Sequence, residues 1–193
     1  MNSQDQSQLT SSSRERLHTR SVEFNGYRRA DGRWDIEAEL RDFRHYDTQT
    51  PMGLLPAQAS VHHMAITLTL DDELTVQDVS ARMMATPFST CLEIETSLKP
   101  MIGVRIGTGW RRAITERLGG TKSCTHLREL LANMATAALQ TIPTWHAQQN
   151  KKQGQAPVGR PLYLGQCHAW RLDGPIVKRI YPQFHQPPHQ DNP

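Results

Sequence analysis

The stretch HHMAITLTLDDELTVQDVSARMMAT, residues 62–86, decides the fold, because apolar side chains occupy alternate positions along it. Its first half places Met64, Ile66 and Leu68 on one side of a strand. Three acidic residues at 71–73 predict a turn, and the second half returns with apolar residues at 74, 76 and 79. The alternation slips near Asp78, which predicts a β-bulge. The stretch therefore predicts an antiparallel hairpin with one buried face.

A second hairpin is predicted upstream, in SVEFNGYRRADGRWDIEAELRDF, residues 21–43. Asp31 and Gly32 predict its turn, because glycine adopts the positive φ that tight hairpin turns require. After the turn, apolar residues at 34, 36, 38 and 40 alternate with charged residues at 35, 37, 39 and 41. This pattern predicts a half-buried strand, whereas residues 47–59, with two prolines and a glycine, predict a loop.

Helical spacing replaces alternation after residue 87. Apolar residues at 92, 94, 98 and 102 predict a helix that Pro100 kinks or ends. A short helix follows, with apolar residues at 110, 114 and 118, and Gly119 ends it. The last helix places apolar residues at 127, 130, 131, 134, 138 and 139 on one stripe, and we expect it to end at Pro143.

The C-terminal region predicts a linker and one more hairpin. Residues 148–159 are polar and read as solvated linker, and residues 162–182 alternate around a turn at 173–174. Strands therefore come before helices, which predicts an α+β domain: an antiparallel sheet of two or three hairpins with helices packed on one face.

Composition limits the class of protein. The chain has 193 residues, a net charge of +3 and three cysteines. We expect one α+β domain over 18–182 between disordered tails at 1–17 and 183–193, because both tails have few apolar residues to bury. The mild charge argues against nucleic acid as a partner, and no run of residues is apolar enough to span a membrane. Free thiols and the lack of a secretion signal predict a cytoplasmic protein, and the oligomeric state stays open.

The segment TKSCTHL, residues 121–127, places a thiol and an imidazole at the start of the last helix. Free N–H groups and the positive end of the helix dipole favour the thiolate of Cys124. His126 could serve as a base, and so could one of His62 and His63, of which one must point inward. Buried packing as a small apolar residue remains the alternative for each cysteine.

Basic residues cluster near this segment. Arg111, Arg112 and Lys122 could receive phosphate groups such as those of coenzyme A, and Trp110 completes the candidate substrate-binding set. A solvated helix face is the alternative interpretation.

Three segments resemble a bacterial family known only as a domain of unknown function, family 2889. They are NGYRRADGRWDIEAEL, GWRRAITERLGGTKSCTHLRELL and CHAWRLDGPIVKRIYP, so the likeness runs from about residue 18 to 182. RLGGTKSCTHL is the most specific part. Members often occur among genes for the coenzyme A-dependent breakdown of aromatic acids, and the resemblance implies such a context.

Residues 62–140 are also similar in layout to the iron–sulfur cluster scaffold (NifU/IscU-like) fold. The resemblance places Cys124 on the last cysteine of the scaffold and Cys91 near the middle one. The first scaffold cysteine has no counterpart, since Ser60 and His62 occupy that region. The likeness implies a scaffold-like core over 60–142, extended by the C-terminal hairpin.

Three functions follow from these observations. The first is hydrolysis of an aromatic acyl-coenzyme A thioester without a cofactor, with Cys124, His126 and His63 as the catalytic candidates. The second is metal or sulfur handling, with zinc or an iron–sulfur cluster held by Cys91, Cys124, His126 and His62, and with Cys167 as a further thiol. The third is a partner module that docks an acidic protein through its basic face. We predict the first.

Overall fold

A single antiparallel sheet organises the chain in the computed structural model, which describes residues 13–154 and 159–187. Its four strands lie in the order β1-β2-β5-β6, so each is hydrogen-bonded to its neighbour along the sheet. The strands are β1 (His18–Arg28), β2 (Trp34–Arg44), β5 (Ser60–Leu70) and β6 (Val76–Ala85). The predicted α+β class with an antiparallel sheet is confirmed.

The two long hairpins follow the alternation of the sequence. The predicted bulge is present in β6, because Thr69 pairs with Asp78 and Leu70 with Val76, which leaves Gln77 without an opposite residue. The predicted loop at 47–59 contains a small hairpin of its own, made of β3 (Thr48–Thr50) and β4 (Gly53–Leu55).

One face of the sheet is covered by helices and the other carries polar residues. The long helix α2 (Thr125–Lys152) lies across β1, β2 and β5, and the short helix α1 (Trp110–Leu118) packs against α2. Gly26 of β1 permits this approach, because a Cβ at that position would overlap the side chain of Thr141 on α2. The core between the layers includes Ile36, Leu40, Ile66, Leu68, Leu127, Leu131, Met134 and Ala138.

Helix α2 continues past Pro143, which corrects the expectation that it ends there. A proline inside a helix costs about 3 kcal/mol, so the second half must gain compensating contacts. Trp145 packs edge-on against Trp34 at 5.2 Å, and Arg28 lies over the Trp145 ring at 4.4 Å. His146 contacts Asp72 at 2.8 Å. These contacts bind the end of the helix to the sheet.

The segment predicted as a helix between residues 87 and 102 consists of two 3-10 turns, Ser89–Ile94 and Lys99–Met101. Because Pro100 lacks an N–H donor, a continuous α-helix through it would lose a hydrogen bond.

The hairpin predicted at 162–182 does not form. This region contains α3 (Pro175–Ile180) and a 3-10 turn, Pro182–Phe184. Gly174 has φ −86°, outside the left-handed region of a tight hairpin turn, and the following proline occupies the first turn of α3. The Phe184 ring in this turn lies 6.4 Å from the ring of Tyr181. Residues 1–12 and 188–193 of the predicted tails lie outside the described residues.

None of the helices that the structure describes combines the length and apolarity needed to cross a membrane.

Candidate functional site

A row of three polar side chains crosses the helix-covered face at one end of the sheet. Arg20 of β1 is directly opposite Asp42 of β2, and Asp42 is directly opposite His62 of β5. Asp42 continues the inward series of β2 after Leu40, and only 3% of its surface is exposed. Opposite residues of neighbouring strands share a face, so the row projects toward helix α2.

Asp42 is the centre of this row. Arg20 donates from Nε to Oδ1 at 2.8 Å and from its terminal nitrogen to Oδ2 at 2.7 Å. His18 contacts Oδ1 at 3.2 Å, and His62 contacts Oδ2 at 3.3 Å. Burial alone would raise the pKa of Asp42, but the hydrogen bonds and charge of Arg20 outweigh it and lower the pKa below its ordinary value. The carboxylate is therefore held ionised in a buried place.

The first turn of α2 places its polar side chains over the row. Cys124 is the N-cap residue in extended backbone, with φ −79° and ψ 141°. The preceding Ser123 is anchored by a 2.9 Å hydrogen bond between its hydroxyl and that of Ser97. Cys124 therefore stands at the helix position where Ser, Thr, Asp or Asn is usual, next to the free N–H groups of the first turn.

Cys124 and His126 form a hydrogen-bonded pair, with Sγ 3.6 Å from Nδ1. Burial by itself raises the pKa of the Cys124 thiol. The hydrogen bond with His126 and the backbone N–H groups of residues 126 and 127 have a larger, opposite effect, so the pKa lies below its ordinary value. The same hydrogen bond raises the pKa of His126, against the effect of burial. Both shifts favour a thiolate beside an imidazolium.

The second nitrogen of His126 faces Asp42. Its Nε2 lies 3.8 Å from Oδ2, and its ring centre is 4.1 Å from that of His62 at an interplanar angle of 40°. A thiol, an imidazole and a buried carboxylate thus succeed one another across the helix–sheet junction. Active sites with a cysteine nucleophile use the same order: a thiol, an imidazole base and a third group that orients the base.

The structure separates the two histidines that the sequence left as alternatives. His62 points inward to Asp42, whereas His63 points to the other face of the sheet and pairs with Glu39. This corrects the candidate role of His63 as a base for Cys124. Burial and the nearby His126 lower the pKa of His62 below its ordinary value, which favours a neutral ring there.

The predicted substrate-binding residues do not form one surface. Trp110 is 3% exposed and donates from Nε1 to the Leu131 carbonyl at 3.1 Å, so its candidate role in substrate contact is corrected to core packing. Arg112 is solvated and pairs with Glu116, and Lys122 donates to the carbonyl of the same Glu116.

Arg111 lines a cleft between α1 and α2, of about 290 Å³. Its other walls include Thr125, Arg128 and Glu129 from the first turns of α2. Glu129 also binds Arg20 at 3.1 Å, which connects this cleft to the polar row. Two guanidinium groups thus border a cleft beside the turn that carries Cys124.

Asp42, His62 and His126 could also hold a metal ion, since one ligand atom from each lies within 4.8 Å of the others. Two imidazoles and a carboxylate suit Zn²⁺. The group contains His62 and His126 of the predicted ligand set together with Asp42, and neither Cys91 nor Cys124 belongs to it. Cys91 is half-buried against the core and Cys167 is exposed.

Three residues of the site were not predicted from the sequence: Asp42, Arg20 and His18. A signal was present, because Asp42 falls two positions after Leu40, on the inward phase of β2. An ionisable side chain on an inward phase needs a partner, and Arg20 is that partner.

Comparisons with known proteins identify a family but no characterised relative. A family model described as a protein of unknown function, DUF2889, matches residues 18–140. This span contains every member of the site and is shorter than the likeness over 18–182 expected from the sequence. No curated protein and no solved structure matches the chain.

Proposed function

We propose, for a chain that belongs to the DUF2889 family of proteins of unknown function, that Cys124 and His126 hydrolyse thioesters and that Asp42 positions His126. One observation carries the proposal: the thiol lies 3.6 Å from the imidazole, whose other nitrogen faces a buried carboxylate. This geometry matches the requirements of covalent catalysis by cysteine.

The reaction would proceed in two steps. The Cys124 thiolate attacks the thioester carbonyl carbon, a bond forms to Sγ, and the substrate thiolate leaves with the proton of the His126 imidazolium. In the second step His126 accepts a proton from water as the water oxygen attacks the acyl-enzyme. The bond to Sγ then breaks, which returns the thiolate and the imidazolium and releases the carboxylic acid. Water and the thioester balance the reaction without a cofactor.

The surroundings of the pair support this chemistry. Asp42 carries a full charge in a buried position and would hold the His126 ring in orientation once a substrate closes the 3.8 Å separation. The backbone N–H groups at the start of α2 stabilise negative charge on sulfur and on a carbonyl oxygen bound beside it.

The proposed substrate is an aromatic acyl-coenzyme A. Arg111 and Arg128 border the cleft beside the first turn of α2, and guanidinium groups bind phosphates well. The aromatic acyl group follows from the family context implied by the sequence. Three free cysteines suit a reducing cytoplasm, which is the location we propose.

A thioesterase assay tests the proposal. Purified protein is mixed with benzoyl-, vanilloyl- and acetyl-coenzyme A, and release of coenzyme A is followed with a thiol reagent. We expect turnover of at least one aromatic thioester, and we expect Cys124→Ser and His126→Gln each to lower kcat by about 10²-fold or more.

Cys167→Ser is the matched control, because Cys167 is an exposed cysteine that does not belong to the polar row. It is expected to keep the activity of the wild type. Full activity of Cys124→Ser, or no turnover of any thioester by the wild type, would contradict the proposal.

Metal binding is the second candidate, and the convergence of Asp42, His62 and His126 favours it. The group contains no thiolate, so it suits Zn²⁺ better than an iron–sulfur cluster. The likeness of residues 62–140 to cluster scaffolds belongs to this second proposal. Metal analysis of anaerobically purified protein tests it: bound Zn²⁺ near one equivalent that His62→Ala abolishes would favour it, and metal-free folded protein would count against it.

A further inference from the structure

A cavity of about 580 Å³ lies between the second half of α2 and the residues that follow this helix. One wall is a single face of α2, because its lining positions 143, 146, 147, 150 and 151 recur every three or four residues. The other walls include residues 159–163 and Tyr181. Binding sites for small molecules usually have volumes of about 300–1,000 Å³, so this cavity has the size of a ligand site.

The cavity is separate from the candidate thioesterase site. Pro143, the lining residue nearest to the start of α2, follows His126 by 17 residues on the same helix, which places the two about 25 Å apart. Every lining residue also follows residue 140, the last residue that the family model matches. The cavity therefore belongs to a part of the chain to which the proposed thioesterase chemistry assigns no role.

The charged residues that line the cavity are basic. They are His146, Lys151 and Arg160, and no acidic residue is among the described residues of its walls. His146 is already paired with Asp72 at 2.8 Å. In the ranges 13–154 and 159–187, the only lysine that forms an ion pair is Lys99. The ammonium group of Lys151 is therefore available to a ligand.

Arg160 is held in a fixed orientation beside the cavity. One terminal nitrogen of its guanidinium donates to the Leu164 carbonyl at 3.1 Å. A guanidinium has five N–H donors, so the remaining donors can bind a second group. Carboxylates and phosphates are the groups that guanidinium and ammonium ions bind best, because the hydrogen bonds are charge-assisted. The cavity therefore attracts an anion.

Aromatic side chains form another part of the wall. Tyr163 and Tyr181 both line the cavity, and their hydroxyl groups are hydrogen-bonded to each other at 2.7 Å. Packing against Trp170, whose ring is 4.8 Å from Tyr163 and 6.1 Å from Tyr181, fixes both rings. Burial and the hydrogen bond raise the pKa of Tyr163 to about 12, so this phenol is neutral at pH 7. Tyrosine rings stack favourably on an aromatic ligand.

We propose that this cavity binds a small organic anion that carries an aromatic ring, with its charge at Lys151 and Arg160. The ring lies against the two tyrosines. Aromatic carboxylic acids and nucleotides share this chemistry, and the experiment distinguishes them. A cavity of about 150 Å³ already holds a benzene ring, so the volume accommodates a ring together with its anionic group. The proposal is independent of the thioesterase activity, because binding is measured without turnover.

Isothermal titration calorimetry of the full chain tests the proposal. The two aromatic anions are 4-hydroxybenzoate, a carboxylic acid, and AMP, a nucleotide. Acetate and inorganic phosphate are anions without a ring, and benzyl alcohol is a ring without charge. We expect at least one aromatic anion to bind with a Kd below about 1 mM, and the other three probes to bind at least about tenfold more weakly, because each lacks one of the two contacts. The tighter of the two aromatic anions identifies the source of the ligand.

Lys151→Gln removes the charge from the cavity without removing a contact that holds the fold. We expect it to raise the Kd of the aromatic anion about tenfold or more, because a charge-assisted hydrogen bond is lost. Lys152→Gln is the matched control, since Lys152 is the next residue of α2 and does not line the cavity. It is expected to keep the Kd of the wild type, and thermal melts check that both variants are folded.

Three results would overturn the proposal. The first is that neither aromatic anion binds at concentrations up to about 10 mM. The second is that acetate or inorganic phosphate binds as tightly as the aromatic anions, which would remove the role of the ring. The third is an unchanged Kd in folded Lys151→Gln, which would place the bound anion elsewhere, for example in the cleft beside Arg111. None of these results bears on the turnover of thioesters.

Discussion

Replacing Asp42 with Asn keeps the shape of the side chain but removes its charge. The carboxylate accepts two hydrogen bonds from Arg20, at 2.8 and 2.7 Å, and one from His18 at 3.2 Å. An amide presents one oxygen and one NH₂ group, so one nitrogen donor of Arg20 would face another donor.

The expected loss of stability follows from how exposed Arg20, the main partner of Asp42, is. Removing one member of a fully buried ion pair costs about 3–5 kcal/mol. Arg20 is 36% exposed and also binds Glu129, so part of its charge returns to water and to that carboxylate. We therefore expect Asp42→Asn to lower the free energy of unfolding by about 2–3 kcal/mol, which for a chain of this length lowers Tm by about 4–12 °C.

The same variant would impair catalysis beyond its effect on stability. Asp42 is a positioning residue, so kcat should fall by about 10²-fold at temperatures where the variant is folded, while KM changes little. Asp78→Asn is the matched control, because Asp78 is 58% exposed and pairs with Lys99 at the surface. It should change stability by less than about 0.5 kcal/mol and leave kcat intact.

Thermal melts and steady-state kinetics measure both effects. A folded Asp42→Asn protein with the kcat of the wild type would refute the role of the carboxylate in orienting His126. A Tm within 1 °C of the wild type would refute the reasoning about the ion pair with Arg20.

Three further predictions concern other parts of the chain. At pH 7, iodoacetamide should alkylate Cys124 faster than the more exposed Cys167, because hydrogen bonding lowers the pKa of Cys124; peptide mass spectrometry measures both rates. Gly26→Ala should lower stability by about 1–3 kcal/mol in urea melts, because the new Cβ would lie 2.9 Å from the Thr141 Cβ and closer to its branches. Asp72→Asn should lower Tm at pH 7, and the difference in Tm from the wild type should shrink as pH falls below 3.8. A hydrogen bond from the buried Trp34 lowers the pKa of Asp72 in the folded state. The stabilisation by the Asp72 carboxylate is therefore complete above the pKa of the unfolded chain and is lost when the carboxylate is protonated.

Each of these has an outcome that contradicts it. Faster alkylation of Cys167 would remove the case for an activated Cys124. Unchanged stability of Gly26→Ala would mean that α2 can move away from β1 at little cost. If Gly26→Ala does lose stability and Thr141→Ala fails to restore it, the loss has a cause other than the contact with Thr141. A Tm deficit of Asp72→Asn that stays constant down to pH 2 would show that the carboxylate charge is not what stabilises.

The sheet could be predicted from the sequence because period-two alternation depends only on local order. Trp34, Ile36, Ala38 and Leu40 lie inward as their spacing requires. The direct contact between Cys124 and His126 was not predicted, because side chains two residues apart point to different sides of a helix. Cys124 is the N-cap residue in extended backbone, and its sulfur lies 3.6 Å from Nδ1 of His126.

The remainder of the site depends on strand register, which no local pattern specifies. Asp42 meets Arg20 because β1 and β2 pair with a particular offset, and it meets His62 beside a bulge at residues 42–43. The same limit explains why the continuation of α2 past Pro143 was not predicted. The contacts that stabilise the second half of α2 come from β1 and β2, more than a hundred residues earlier in the chain.

The choice between a cysteine relay and a metal centre depends on Arg20. Its guanidinium lies 2.7 Å from Oδ2, the Asp42 oxygen nearest to both inward histidines. Two unit charges at 4 Å interact by about 4 kcal/mol at an effective dielectric constant of 20, so a divalent ion beside this oxygen would be repelled by the guanidinium by about 8 kcal/mol. The carboxylate would attract the ion by about 16 kcal/mol at a ligand distance of about 2 Å, so the guanidinium cancels about half of that attraction. The hydrogen bond between Cys124 and His126 does not involve the Asp42 carboxylate, so Arg20 does not weaken it. The ion pair of Arg20 with Asp42 therefore favours the cysteine–histidine–carboxylate relay over the metal centre.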